Sequence, residues 1–466
     1  MNSKLVSLFC CLIMLVSFSG CTKVTQLVKD NQPTKAELLA EINEEHQRWE
    51  AAPAADPTPY LRHYDDPADA QKYFDYITDT YSEYDAEKEL TVEEAEEDVN
   101  YLFDAFYYDF AFYDYFGGHT VFDQTKAEIL QELQAKDNLT CKDLQEVLVK
   151  HLTFIKDGHF NINHNFPAEK EIPFFFRQVM FVKTDSGYQN SKGKTVVSVD
   201  GHPDLDTLFK RSISQEGYLV YYPVLLKEAK FDGTEWDKHV CDEQLTVHYA
   251  DGSTDVLTAD TWSQYYKDLP KDQNTDLRQT DGIPVFQFNS FEGSFLQEVN
   301  AAAAQMSDAA ISMLDLRSNV GGYEEVAHQW ITRYSRQRVQ GNGVRYDVVN
   351  PVSVAIQAHR WQTHDNILIL LSGKCSASSA EITMDLAYNL ENSLIIGENT
   401  NGCMIGNGGH VELPNSKCSV IMTSVCVYLL PEGADYFEEM RGLSPDIWVP
   451  AKEAETLAAK LMENLK

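Results

Sequence analysis

The chain has 466 residues and a formal net charge of −34, from 38 Lys and Arg against 72 Asp and Glu. Hydrophobic residues make up 43% of the sequence and aromatic residues 11%, a composition that builds buried cores and argues against a disordered chain. The length is sufficient for more than one domain. Because the acidic excess repels phosphate backbones and anionic lipid headgroups, it argues against nucleic-acid binding and against a polybasic membrane-surface role.

The first twenty residues have the order of a bacterial secretory signal. Lys4 precedes an apolar run over residues 5–18, and two small residues lead directly to Cys21. The run is too short to span a bilayer, and small residues before a cysteine resemble a lipobox, in which that cysteine is diacylated. We expect residues 1–20 to be removed and Cys21 to anchor the protein at a membrane of the bacterial cell envelope, periplasmic or surface-facing. The alternative is a plain cleaved signal with Cys21 as a bystander.

The pattern after the signal changes three times along the chain. Residues 21–75 are polar and rich in Pro, which is typical of a tether. Residues 76–165 repeat apolar side chains at helical spacing and predict about three helices, with Thr140 as an N-cap. Residues 166–270 contain short alternating runs broken by Asp-Gly turns, which predict a smaller β-rich middle domain.

From residue 271 to residue 466 the predicted order is strand, loop, helix, repeated. The apolar runs "AAISMLDL" and "DNILILLSG" each feed a helical segment. Short, fully apolar strands that feed helices indicate a parallel sheet buried on both faces. The sequence therefore predicts an α/β core, and in such sheets ligands bind in the loops at the carboxyl ends of the strands.

Neither a cofactor nor a metal ion is expected. The six cysteines that follow Cys21 are widely spaced, with no C-x-x-C pair, so neither a dense disulfide framework nor a zinc ribbon is indicated. The sequence also lacks the P-loop, zincin, G-x-S-x-G and strand-linked G-x-G-x-x-G motifs. These absences argue against nucleotide, zinc and dinucleotide chemistry.

Two strand-to-helix loops carry residues suited to chemistry. Ser378 follows an apolar strand and opens a helix, where free N–H groups and the helix dipole favour a developing anion. Gly321 and Gly322 lie in the other loop, where paired glycines let the backbone approach a ligand. Each feature alone is more typical of a helix cap or an ordinary turn. The sequence holds 13 His, and spacing cannot select a base among them.

Four segments, taken in order and spacing, resemble the tail-specific or C-terminal processing serine peptidases and the tricorn core peptidases, together serine peptidase family 41. They are "FIKDGH" at 154–159, "DLRSNVGG" at 315–322, "SASSAE" with "LIIGENTNG" at 376–402, and "GLSPDI" at 442–447. The resemblance covers roughly residues 90–450. It implies a crotonase-like α/β catalytic core after an N-terminal helical region, with the middle domain in the place of a PDZ or PDZ-like module.

The resemblance implies one of two catalytic pairings. One branch pairs the Ser with a Lys that follows the G-E-x-T-x-G segment, and here that segment is followed by Cys403. A thiol is a poor substitute for a desolvated amine, and Lys374 is the remaining candidate amine.

The tricorn-like branch uses Ser, His and Glu, and all three positions are filled here. The resemblance implies that Ser378 is the nucleophile, His159 the general base and Glu439 the carboxylate that orients the imidazole. Two alternatives stay open, which are Glu438 in place of Glu439 and His410 in place of His159.

The expected oxyanion hole consists of the backbone N–H groups of Ser379 and of Gly321 or Gly322. The expected function is an extracytoplasmic serine endopeptidase that acts on peptides or proteins through an acyl-enzyme, bound to the membrane only through its N-terminal lipid. The alternative is a catalytically inactive scaffold that binds peptides or hydrophobic ligands, since a fold does not fix a function.

Overall fold

The computed structural model describes residues 24–465 except 51, 54, 231–237, 268, 271, 350–360 and 425. The expected signal peptide and the lipid attachment at Cys21 lie outside the described residues. Within the described residues, none of the helices combines the length and apolar character that crossing a membrane requires.

The α-helices of the described residues are, in chain order, α1 Gln26–Asp30, α2 Lys35–Gln47, α3 Val92–Asp109, α4 Gly118–Gln134, α5 Cys141–His151, α6 Leu205–Leu208, α7 Leu296–Met306, α8 Glu324–Ser335, α9 Ser379–Ala387 and α10 Ala454–Asn464. Short 3-10 helices lie at Thr58–Tyr60, Pro67–Lys72, Gly293–Phe295 and Ala451–Glu453. Helices α3, α4 and α5 lie where the apolar periodicity predicts about three helices. Thr140 caps α5, since its hydroxyl accepts from the Asp143 N–H at 3.2 Å.

Helices α1 and α2 lie inside residues 21–75, where the polar composition predicts a tether. Val28 of α1 is buried against Met180 and Val220, and α2 buries Leu38 and Ile42. The structure differs from the prediction because local signals outweigh the polar composition. Thr34 and Glu37 form a capping box at the start of α2, and its buried side chains recur every fourth residue, as in an amphipathic helix.

The middle of the chain is antiparallel β-structure. Its strands are β1 Asn161–Ile162, β2 Lys170–Phe175, β3 Phe181–Thr184, β4 Gly187–Asn190, β5 Val196–Val199, β6 Phe209–Ile213, β7 Leu219–Ala229, β8 Lys238–His239, β9 Gln244–Tyr249, β10 Thr254–Thr258 and β11 Trp262–Ser263. Strand β7 pairs with β2, β3 and β6, and β4 extends the sheet beyond β3. A second sheet has the order β10-β9-β5, and β9 and β10 are joined through the expected Asp-Gly turn at Asp251 and Gly252.

The remaining strands are β12 Thr275–Thr280, β13 Ile283–Phe288, β14 Ile311–Asp315, β15 Val344–Asp347, β16 Ile367–Ser372, β17 Ser393–Gly397, β18 Gly408–Glu412, β19 Ser419–Thr423, β20 Cys426–Leu429, β21 Phe437–Glu438, β22 Gly442–Leu443 and β23 Ile447–Trp448. Six of them form one sheet in the order β12-β13-β14-β16-β17-β23. Only the β12 pairing is antiparallel.

Helices cover both faces of the six-stranded sheet. Side chains of α7, α8 and α9 pack on one face, and side chains of α2 and α10 pack on the other. Every residue of β16 is buried, which explains the unbroken apolar runs in the sequence. This arrangement confirms the predicted mixed α/β class.

A third core joins α3, α4 and α5 to strands β15, β18, β19 and β20. Strands β14, β16 and β17 are parallel neighbours, with Asp315 beside Leu371 and Ser372 beside Gly397. Their three following loops therefore emerge side by side at one edge of the sheet.

We expect Ile42→Ala to lower the free energy of unfolding by about 2–4 kcal/mol, because it removes a buried side chain that packs against the sheet. Urea unfolding followed by circular dichroism measures the change. Glu44→Ala, at an exposed position of the same helix, is the matched control. Equal small effects of the two variants would contradict the docking of α2 on the core.

Candidate active site

Ser378 lies at the end of the loop that follows β16, directly before α9. Its backbone has φ 52° and ψ −116°, a conformation that costs a non-glycine residue about 1–3 kcal/mol and that its surroundings must hold in place. The side chain is half-buried. The first N–H groups of α9 and the positive end of its dipole therefore lie beside the Ser378 hydroxyl.

The buried carboxylate of Glu381 holds this loop against the loop that follows β17. Its Oε2 accepts the backbone N–H groups of Ser378 at 3.0 Å and of Cys403 at 2.9 Å. Its Oε1 accepts the Thr400 hydroxyl at 2.5 Å and the Gly402 N–H at 2.7 Å. Four donors compensate for the burial of the charge. Glu381 is the third residue after Ser378, but no sequence motif indicates that it belongs to the site.

The paired glycines after β14 meet the same loop. Gly321 has φ +93°, and a Cβ placed there would lie 2.8 Å from the Cβ of Ser378, so a side chain cannot be accommodated. The Gly321 N–H donates to Asn319 Oδ1 at 2.8 Å and is therefore already committed. Among the described residues, the N–H groups of Gly322 and Ser379 have no acceptor, which leaves both available as hydrogen-bond donors.

His159 lies between α5 and β1, with 12% of its side chain exposed. Its backbone N–H donates to Asp157 Oδ1 at 3.0 Å, and the same oxygen lies 3.9 Å from its Nδ1. Burial lowers the pKa of His159 below its usual 6.5; the Asp157 charge opposes this shift and the Lys170 charge adds to it. The imidazole is therefore neutral at pH 7, as a general base requires.

Close packing at Gly158 places His159 and Ser378 in one site. A Cβ at Gly158 would lie 2.0 Å from the carbonyl oxygen of Gly402 and 2.6 Å from the Cβ of Cys403. Cys403 in turn shares a carboxylate oxygen of Glu381 with Ser378. Within the described residues no hydrogen bond joins the Ser378 hydroxyl to the imidazole, and His159 Nδ1 is buried without a partner.

Two carboxyl groups flank the imidazole. Glu439 accepts the Gly158 N–H at 2.8 Å and the Ile405 N–H at 3.2 Å. Asp157, His159 and Glu439 each have one oxygen or nitrogen atom that could ligate a metal, and these three atoms lie within 4.8 Å of one another. Burial, reinforced by the Asp157 charge, raises the pKa of Glu439 well above 4.5. This spacing would admit a metal ion, but both carboxyl groups already accept backbone N–H groups, which favours an orienting role.

The structure separates Glu439 from the alternative residues. Glu438 is 63% exposed and pairs with Arg441 at 2.6 Å, so it lies outside the site. The ring of His410 stacks on Tyr81 with centroids 4.0 Å apart, and its Nδ1 lies 3.2 Å from the Thr78 carbonyl oxygen. His410 therefore holds the N-terminal segment on β18.

Lys374 and Cys403, the two alternatives to the imidazole base, are less suited to take a proton from Ser378. Lys374 is buried, and its Nζ donates to the carbonyl oxygens of Thr400 at 2.5 Å and Arg441 at 3.1 Å. Burial and the Lys170 charge lower the pKa of Lys374 to about 7. Burial raises the pKa of the Cys403 thiol well above its usual range, which keeps it protonated. All six cysteines of the described residues are free.

Lys170, the first residue of β2, is a buried cation with no role in the sequence analysis. Its side chain is fully buried, and its Nζ donates to the Gly158 carbonyl oxygen at 2.9 Å and to Asn401 Oδ1. The Gly158 carbonyl and the His159 N–H belong to one peptide group, so Lys170 and Asp157 hold that peptide from opposite sides. No sequence pattern distinguishes this lysine from a surface one.

Residues 282–449 match the sequence model of Peptidase family S41. This segment is a family S41 peptidase domain. The match includes three of the four segments that carry the resemblance and confirms the family and the class of serine-type peptidase, while the segment at 154–159 lies outside it. No curated protein shows significant similarity to the chain.

Solved structures similar to this chain include peptidases of low sequence identity. Mature CPAF is 12% identical with a TM-score of 0.43, over 80% of this chain and 96% of that one. The photosystem II D1 C-terminal processing protease is 14% identical with a TM-score of 0.37, over 80% and 97%. The tricorn protease is 12% identical with a TM-score of 0.37, over 80% and 37%. Similarity at this level assigns no residue roles in the S41 domain.

We expect Lys170→Met to lower the free energy of unfolding by about 2–4 kcal/mol, because it leaves two buried oxygens without a donor. It also removes a charge that lowers the pKa of His159. The pH midpoint for labelling by a fluorophosphonate, a serine-directed reagent, therefore shifts upward. Lys156→Met, at an exposed position near His159, is the control. An unchanged midpoint in a folded Lys170→Met protein would contradict the electrostatic role.

Proposed function

We propose that the protein is an extracytoplasmic serine endopeptidase with Ser378 as nucleophile and His159 as general base. One observation carries the proposal. The strained Ser378 backbone presents its hydroxyl beside two N–H groups that have no acceptor among the described residues, and a buried, neutral imidazole lies on the adjoining segment. These are a nucleophile, an oxyanion site and a base in one place.

The proposed reaction proceeds through an acyl-enzyme. Ser378 Oγ attacks the scissile carbonyl carbon while His159 takes its proton, and the carbonyl oxygen gains negative charge between the N–H groups of Gly322 and Ser379. The tetrahedral intermediate collapses as His159 protonates the leaving amine. Water then attacks the acyl-enzyme by the same route and restores the Ser378 hydroxyl.

The flanking carboxyl groups act on the imidazole in different ways. Glu439 orients the ring, as in a Ser-His-Glu constellation, and Asp157 supplies the charge that stabilises the imidazolium. The 3.9 Å between His159 Nδ1 and Asp157 is about 1 Å longer than a hydrogen bond. Catalytic hydrogen bonds are often long in ligand-free proteins and shorten when substrate binds.

The proposal extends to the domains and to location. The six-stranded sheet with its covering helices serves as a crotonase-like catalytic core, and strands β2 to β11 serve as a PDZ-like module. The lipobox-like sequence before Cys21 supports a lipid anchor in the bacterial cell envelope. Peptides or proteins in that compartment are the proposed substrates.

We expect a fluorophosphonate to label the wild-type protein once, and not Ser378→Ala, as judged by intact mass. Labelling requires neutral His159, whose pKa lies below 6.5. The rate is therefore maximal at neutral pH and falls as the pH drops, with a midpoint below 6.5. His159→Ala slows labelling by about 10³-fold or more.

Ser294→Ala, which changes an exposed serine, is the control and labels normally. A folded wild-type protein that resists labelling between pH 5 and 9 would contradict the proposed activity and favour the inactive scaffold.

The two carboxyl groups are distinguished by the pH midpoint of labelling. Asp157→Asn removes a charge that raises the pKa of His159, so the midpoint moves to lower pH. Glu439→Gln replaces a carboxyl group whose pKa burial raises, so the midpoint moves less than in Asp157→Asn while the rate falls about 10²-fold or more. A downward shift in Glu439→Gln with none in Asp157→Asn would reverse the two roles.

A further inference from the structure

A cavity of about 610 Å³ opens beside the proposed catalytic site. Its wall includes the aromatic side chains of Tyr60, Tyr115, Phe116 and Phe437 together with aliphatic and acidic side chains. The rings of Tyr60 and Tyr115 stack with centroids 4.8 Å apart and an interplanar angle of 15°. Tyr115 remains 51% exposed, so the stacked pair offers an open apolar face to an occupant.

The cavity is continuous with the site. Glu439 and Ile405, whose N–H donates to Glu439, both line it. Tyr60 lies close enough to Glu439 for the two groups to interact electrostatically; burial, with contributions from Tyr115 and Glu439, raises the pKa of Tyr60 to about 12. A substrate segment in the cavity therefore lies next to the carboxyl group that flanks His159.

The rim of the cavity carries uncompensated negative charge. Glu169, Glu228 and Glu432 are exposed, and none of them forms an ion pair with a cation of the described residues. The two cations that line the cavity are Lys156 and Arg441.

Arg441 is already engaged. It pairs with Glu171 at 2.6 Å and with Glu438 at 2.6 Å, and both of these carboxylates also line the cavity. The single positive charge of Arg441 is therefore shared between two carboxylates and is not available to Glu169, Glu228 and Glu432.

We infer that this cavity binds a segment of the peptide substrate in which a Lys or Arg side chain stands beside apolar residues. The inference rests on the proposed function and names its substrate class. The aromatic wall takes the apolar residues and the aliphatic stem of the cationic side chain, and the rim carboxylates meet its charged end. A carboxylate at the rim repels acidic side chains, so the same charges select against them.

The experiment measures binding without catalysis. Ser378→Ala is titrated into fluorescein-labelled Ala-Leu-Lys-Leu-Lys-Leu-Ala and into counterparts with norleucine or Glu in place of Lys, and fluorescence anisotropy gives Kd. We expect the Lys peptide to bind about tenfold more tightly than the norleucine peptide at low salt, and the Glu peptide to bind least. The Lys advantage shrinks at 0.5 M NaCl because salt screens exposed charges.

A matched pair of charge variants separates the cavity from the field of the whole protein. When Glu169→Gln, Glu228→Gln and Glu432→Gln are added to the Ser378→Ala protein, we expect the ratio of Kd between the norleucine and Lys peptides to fall to about twofold or less. Adding Glu146→Gln, Glu298→Gln and Glu463→Gln changes the net charge equally at other exposed positions and preserves the advantage. Equal losses in the two triple variants, or equal binding of the Lys and norleucine peptides, would overturn the inference.

The outcomes for the cavity and for the proposed function are separate. Lys-selective binding without fluorophosphonate labelling of the wild type would support the cavity and contradict the peptidase chemistry. Labelling without Lys selectivity would support the peptidase and contradict the cavity.

Discussion

The site depends on one buried carboxylate with a full set of donors. Glu381 accepts hydrogen bonds from Ser378, Thr400, Gly402 and Cys403. Two of the three loops at the edge of the sheet are thereby fixed to each other through a single charged group. A buried charge is tolerated only when its hydrogen bonds are complete. The loops therefore cannot separate without exposing this carboxylate or removing its hydrogen-bond donors. That constraint holds the Ser378 backbone in its strained conformation.

A second set of charges fixes the backbone of His159, the proposed base. Lys170 and Asp157 hold the two sides of the peptide group that joins Gly158 to His159, and Glu439 holds the preceding N–H. The backbone at His159 is thus restrained at consecutive polar groups, while its ring Nδ1 has no hydrogen-bond partner within the part of the chain that the structure describes. This combination suits a base whose ring moves a short distance about a rigid main chain. Burial keeps that ring neutral, so the proton-accepting form is already present at pH 7.

The sequence predicts those parts of the protein whose signals are local. The apolar runs at β14 and β16 identify the parallel sheet, and Asp-Gly marks the turn between β9 and β10. Ser378 and His159 were predicted as site residues because each lies in a short segment typical of a family. Helix α2 was missed because the polar composition of the surrounding segment outweighed its capping box and its buried stripe.

Asp157, Lys170 and Glu381 were missed as members of the site for a different reason. Asp157 and Glu381 lie within three residues of His159 and Ser378, but their other partners are distant in sequence, such as Thr423 for Asp157 and Gly402 for Glu381. Lys170 and its partner Asn401 are 231 residues apart. Whether a lysine at the start of a strand is buried among carbonyl groups depends on how whole domains pack. The sequence of one segment does not predict that packing. The paired glycines show the same limit, since only the fold reveals that the Gly321 N–H is already bound to Asn319.

The docking of α1 on the middle sheet sets the reach of the proposed anchor. Val28 is buried against Met180 and Val220, so the chain is fixed to the folded body seven residues after Cys21. Seven extended residues span at most about 25 Å. A lipid on Cys21 would therefore be a short tether that keeps the enzyme close to the bilayer surface. Substrates that reach that surface would be cleaved in preference to those farther from the membrane.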